Sequence, residues 1–330
     1  MPCEYRGRRA FSVENDVVRV TVTVEGGHIV EILHKPGCVN PLWTPPWPSI
    51  EPSQYDAARH AEYGQNAESK LLAGIMGHNL CLDLFGGPSP EEAAAGVTVH
   101  GEASVNPYDV AAEGDTLSMR TTLAAAQLAF ERAIRIDGLR VLVRETVENL
   151  SRLDRPIAWT QHVSLGPPFV QAGVTRFELN ATRSRTFEGD FGYLARGRDF
   201  QWPLAPRQDG GTLDLSFAPP DGWAGYTAHL VDDPARFIAE ANGIRFGYRW
   251  RRDDFPWLGI WDENCSRKQP PWSGHTIARG MEFGVSPYPE SRRAMIDRGK
   301  LFGVPAYRWL PARRSLTVEY EAFFEVSRAT

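Results

Sequence analysis

Three side chains far apart in the chain are of the types that move protons. His162 lies in Trp159-Thr-Gln-His-Val-Ser-Leu-Gly-Pro-Pro-Phe169, which otherwise reads as the end of a β-strand running into a stiff turn. His100 ends the alternating stretch Gly96-Val-Thr-Val-His-Gly101. Glu282 lies between Met281 and Phe283 on a segment flanked by Gly280 and Gly284 and followed by two prolines. An imidazole and a carboxylate both titrate close enough to neutrality to exchange donor and acceptor roles, which is the requirement for general acid–base chemistry. The bland readings stand beside this one. A strand histidine is more often a hydrogen-bonded structural residue, and Glu282 could equally pair with Arg279. Trp261-Asp262-Glu263 reads as a pocket rim or as a wet strand end. His78 and Asp83 either shape a loop or touch a ligand.

The elements that must position these groups are mostly strands. Val18, Val20, Val22 and Val24 alternate with Arg19, Thr21 and Thr23, and Glu25-Gly26-Gly27 turns the chain into a second strand over 28–33. Residues 127–149 read as a hairpin about Asp137-Gly138, and 237–250 as another about Asn242-Gly243. Leu316, Val318, Tyr320, Ala322, Phe324 and Val326 form one face of a long closing strand. Helix is scarce: Ser89-Pro90-Glu91-Glu92 carries a cap and an acidic first turn ahead of Gly96, and 55–73 has room for a second short helix. Tight turns at regular intervals predict an all-β chain, a large antiparallel β-sandwich with few short helices, over 1–330 as a single domain.

Composition narrows the function classes. The 330 residues carry a net charge of −5, which argues against a nucleic-acid surface. No run of about 18 apolar residues suits a membrane span. The opening MPCEYRGRRAF has no apolar core and is not read as a signal peptide, so a cytoplasmic protein is expected. Cys3, Cys38, Cys81 and Cys265 are scattered, which predicts free thiols. The acceptor-type triplets at Asn149, Asn180 and Asn264 carry no weight in that setting. H-E-x-x-H, H-x-H, paired C-x-x-C, P-loop, G-x-G-x-x-G and G-x-S-x-G patterns are all absent, so metal, nucleotide and serine chemistry lose ground.

Taken in order, several stretches carry a resemblance. FSVENDVVRVTVTVEGGHIVEILHKPG, VNPLW at 39–43, VHGEAS, VRETVENLSRLDRPIAWTQHVSLG and RGMEFGVSP together resemble the aldose 1-epimerase (galactose mutarotase-like) family from about residue 11 to 326. Two departures stand out. The family's arginine-containing stretch before the first histidine is replaced by Lys70-Leu-Leu-Ala-Gly-Ile-Met-Gly-His-Asn-Leu-Cys-Leu-Asp83, and Val-Ser-Leu-Gly follows His162.

The resemblance implies a supersandwich fold and a sugar hemiacetal opened and reclosed by acid–base catalysis. Glu282 would be the base, His162 the acid toward the ring oxygen, and His100 a hydrogen-bonding partner of that oxygen. His78, Asp83, Trp159, Trp261, Glu263 and Arg279 are the candidate substrate contacts. The implied partner is a small-molecule carbohydrate, with no metal, cofactor, nucleic acid or membrane. Two alternatives remain open: a non-catalytic carbohydrate-binding protein, and a glycoside hydrolase or lyase pairing Glu282 with Asp262 or Glu263.

Overall fold

The computed structural model describes residues 1–326. Two large antiparallel sheets, of 12 and 8 strands, face each other. The centre of the larger sheet runs in the order Val18–Thr23, Ile29–His34, His78–Asp83, Arg155–Leu165, Ile277–Gly284, Trp257–Asn264 and Trp223–Val231. The smaller is built on the hairpin Leu128–Asp137/Arg140–Asn149, the closing strand Ser315–Val326 and the hairpin Arg236–Ala241/Ile244–Trp250. The expected hairpins are therefore present. Asn242 and Gly243 both take positive φ, 52° and 76°, as a two-residue turn matched to strand twist requires.

Between the sheets lies one apolar core. Val18, Val20 and Val22 meet Phe130, Ile134, Val143, Phe246 and Phe283 there. Side chains alternate across each strand, so one residue set of the larger sheet enters this core. The other set faces outward, where short helices and loops cover it. The capped segment forms the helix Pro90–Ala94, with Ser89 and Glu92 making a reciprocal cap. The 55–73 stretch yields the short 3₁₀ turn Ala61–Tyr63 and the helix Ser69–Leu72. A third helix, Arg292–Arg298, was not expected; it buries only Met295, too little for an apolar period to show. All four cysteines are free thiols. No helix among the described residues is long and apolar enough to cross a membrane.

One polar cluster crosses the core. The buried Glu145 carboxylate accepts from Arg132 Nε at 2.8 Å, Trp159 Nε1 at 3.0 Å, Gln161 Nε2 at 2.6 Å and the Tyr320 hydroxyl at 2.8 Å. Gln161 Oε1 accepts in turn from His78 Nε2 at 2.9 Å, and the Tyr248 hydroxyl donates to His78 Nδ1 at 3.1 Å. A buried ion pair is tolerable only when its remaining donors and acceptors are satisfied, and here three further side chains do most of that.

Burial also leaves several imidazoles neutral. It pushes His28 and His229 down to about 3 and His78 well below the ordinary histidine range. Each binds a proton when unfolded near pH 6.5 but not when folded, so the unfolded state gains protons, and stability falls, as pH drops below 6.5. By pH 5.5, above the carboxylate range, the loss is about 1.4 kcal/mol per histidine. Urea unfolding should therefore show a midpoint that drops steadily between pH 7 and pH 5.5. A flat midpoint over that interval would contradict the buried neutral rings.

Candidate functional site

The strands Arg155–Leu165 and Ile277–Gly284 pair so that His162 and Glu282 are direct Cα partners, and Gly259 of the next strand lies opposite Glu282. All three therefore share the outward face of the larger sheet. His162 Nε2 stands 3.0 Å from Glu282 Oε1, with the residues only 6% and 2% exposed. The ring is held from behind by the Ser164 hydroxyl, 3.1 Å from Nδ1 and two residues along the same face. Orienting one ring nitrogen in this way fixes which proton the other presents.

The glycines beside the carboxylate have a steric purpose. A Cβ at Gly280 would overlap Glu282 Oε1, and a Cβ at Gly259 would overlap the Tyr226 hydroxyl. The Tyr226 hydroxyl donates to the Pro287 carbonyl at 3.3 Å and stays a phenol, because burial and the nearby Glu282 carboxylate push its pKa well above the usual value. A side chain at Gly280 would push the Glu282 carboxylate aside, and one at Gly259 would push aside the phenol beside it.

His100 completes the group from a loop. Its ring centroid lies 4.8 Å from that of His162, tilted by 41°. The residue adopts φ +69°, an uncommon conformation for a non-glycine residue, and its Nδ1 is sealed from solvent without a partner. Burial, reinforced by the nearby His162, pushes the His100 pKa well below the ordinary range, so this ring is neutral.

These groups line a cavity of about 310 Å³. Trp43, Leu71, Leu72, Ile75 and Val99 line it too, together with Phe85, Phe187, Phe191, Trp261 and Trp272. Glu68 and Arg267 are its remaining charged members, paired at 3.5 Å, and the guanidinium lies over the Trp272 ring at 4.6 Å. Such a volume is at the small end of ligand pockets, roughly 300–1,000 Å³, and fits one small guest rather than a glycan chain.

The other candidate residues lie elsewhere. Trp159 and His78 point into the core, where Glu145 and Gln161 hold them. Arg279 also faces inward and forms a two-pronged pair with Asp262 at 2.7 and 3.0 Å, so it is not the partner of Glu282. Strand parity explains these: 159, 279 and 262 have opposite parity to 162, 282 and 261 on the same strands. Asp83 pairs four residues along from His162, roughly 13 Å away at strand spacing. Arg155 and Arg292 bind it there. Glu263 accepts from Ser266 and Arg267 and shapes the loop that carries Arg267 to the cavity. Trp261 alone of the six candidate contacts lines the cavity, its ring 5.9 Å from that of His162.

Several lining residues were not found in the sequence. Ser164 was within reach, being two residues from His162 on one face. Tyr226, Arg267, Glu68 and Trp272 carry no local pattern that sets them apart. With Asp262 and Glu263 engaged elsewhere, the two-carboxylate arrangement considered for hydrolysis does not form in this cavity. Among the described residues no group of three or more His, Cys, Asp or Glu is arranged to hold a metal ion.

No family model and no curated protein matches the chain. Solved structures do. A galactose mutarotase-like protein from Clostridium acetobutylicum aligns with a TM-score of 0.67 at 12% identity, covering 99% of this chain and 98% of that one. An Escherichia coli K12 protein provisionally named an aldose 1-epimerase aligns at 0.66 and 13% identity, covering 96% and 99%. A galactose mutarotase-like protein from Lactobacillus casei gives 0.59 and 13%, covering 96% and 100%.

The neutral His100 gives a direct check on the site. In an NMR titration its ring resonances should stay at their neutral positions down to pH 5.5. A midpoint near 6.5 would mean that the ring is solvated rather than packed as described. Identities this low establish architecture and nothing finer: the chain has the galactose mutarotase-like fold.

Proposed function

We propose that the cavity binds a small reducing sugar and that His162 and Glu282 interconvert its anomers. The observation that carries this reading is their 3.0 Å contact in an aromatic-lined cavity. Opening a hemiacetal needs a base at the anomeric hydroxyl and an acid at the ring oxygen. Those two oxygens share one carbon, so the groups serving them must be close neighbours, as this pair is.

With the imidazole carrying both ring protons and Glu282 ionised, the exchange balances. Glu282 takes the anomeric hydroxyl proton while the bond from the anomeric carbon to the ring oxygen breaks. The ring oxygen keeps that electron pair and takes the Nε2 proton. His162 becomes neutral and Glu282 becomes the acid. After rotation about the adjacent carbon–carbon bond, the reverse steps close the ring on its other face and restore both groups. Neutral His100, beside His162, would hydrogen-bond the ring oxygen, and Ser164 would hold Nδ1 through the cycle. Tyr226 would steady Glu282. The aromatic walls exclude water from the open-chain form.

The neighbours' names point the same way, and so does the ordered resemblance in the sequence. A non-catalytic sugar binder remains the second reading, favoured by the same contact: a guest could sit above a His162–Glu282 pair that never opens. Polarimetry on a freshly dissolved pure anomer separates the two. The wild-type protein should speed equilibration, and Glu282→Gln or His162→Asn should slow it by about 10²–10⁴-fold, the usual contribution of one positioned acid or base. Wild type no faster than Glu282→Gln, with sugar still bound, would select the binder.

A further inference from the structure

The cavity's polar groups are unevenly distributed. Glu282, His162, His100 and Tyr226 are gathered at its floor, and Glu68 and Arg267 satisfy each other. Leu71, Leu72 and Ile75 instead contribute aliphatic surface, and all three are buried. They belong to one apolar cluster with Trp43, Trp47, Tyr63 and Trp272, and Glu68 at the start of the helix Ser69–Leu72 is paired with Arg267. The wall is delivered by the helix Ser69–Leu72 and the turn after it. This is the same stretch in which Lys70-Leu-Leu-Ala-Gly-Ile-Met replaces the arginine-containing pattern of the family that the sequence resembles.

A fully hydroxylated hexose placed here would press hydroxyl groups against leucine and isoleucine. A hydroxyl buried without a partner loses its hydrogen bonds to water, while a methyl or methylene there gains from leaving water. We propose that the guest is a deoxy sugar, with its methyl or methylene carbon seated against Leu71, Leu72 and Ile75 and its hemiacetal at His162 and Glu282. This rests on the acid–base reading for the orientation of the ring, and on the aliphatic wall for the class of sugar.

Two readouts keep those supports separate. Binding is followed by the fluorescence of the cavity tryptophans, and chemistry by anomer exchange in NMR. The probes are matched pairs: L-fucose against L-galactose, L-rhamnose against L-mannose, and 2-deoxy-D-glucose against D-glucose. In at least one pair the deoxy sugar should bind, and exchange, about 10- to 200-fold better than its parent, the discrimination that one small group makes in an apolar pocket. Leu72→Gln should cut that ratio severalfold. Should this variant not fold, the wild-type ratios alone decide. Parents bound as well as or better than every deoxy partner would overturn the inference while leaving anomer exchange intact. A deoxy preference in binding without any exchange would uphold the sugar class and overturn the acid–base reading.

Discussion

The geometry of the site depends on the buried Glu145 carboxylate. It lies on the smaller sheet and accepts from Trp159 and Gln161 on the larger one. Both are odd-numbered residues of the strand Arg155–Leu165, so satisfying them forces the even-numbered His162 and Ser164 to the opposite face. A one-residue slip would bury His162 in the core and strip Glu145 of two donors while Arg132 stayed charged beside it. A hydrogen bond to a charged group is worth about 1.5–3 kcal/mol, and two would be lost, so the alternative register is strongly disfavoured. The polar core thus acts as a register lock for the face that carries His162 and Glu282.

The same logic passes across the sheet. Once His162 faces outward, pairing with Ile277–Gly284 sets Glu282 beside it, and the following pair sets Gly259 beside Glu282. Two glycines then leave the space that the carboxylate and the Tyr226 hydroxyl occupy. Only His100 comes from outside the regular ladder, on a loop whose backbone is held in the left-handed region. Rigid strands are suited to this task, since acid–base groups need placement to within a fraction of an ångström.

The strands, the hairpin turns and the capped helix were legible because alternation, Asn-Gly and Ser-Pro-Glu-Glu are local signals with local causes. The grouping of His162, His100 and Glu282 was expected from their residue types and chain order, and the structure brings them together. Parity could have gone further. Residues 279 and 282, or 159 and 162, cannot face one way on an unbroken strand, which removes Arg279 and Trp159 from the cavity before any coordinates are seen. His78 and Asp83 could not be settled so simply, because their places depend on partners far away in sequence, Gln161 and Arg292. Arg267 and Trp272 escaped notice for the same reason: a loop held by Glu263 brings them to the cavity, and no sequence period records that.

The proposed function requires that one sugar carbon present both its oxygens to His162 and Glu282 while the core beneath stays as it is. A crystal structure of the protein with a bound reducing sugar tests this most directly. The expected density is a pyranose in the cavity, its ring oxygen at hydrogen-bond distance from His162 Nε2 and its anomeric oxygen at Glu282, with the Glu145 cluster unchanged. A sugar held elsewhere on the molecule, or lying in the cavity with the hemiacetal turned away from both groups, would contradict it.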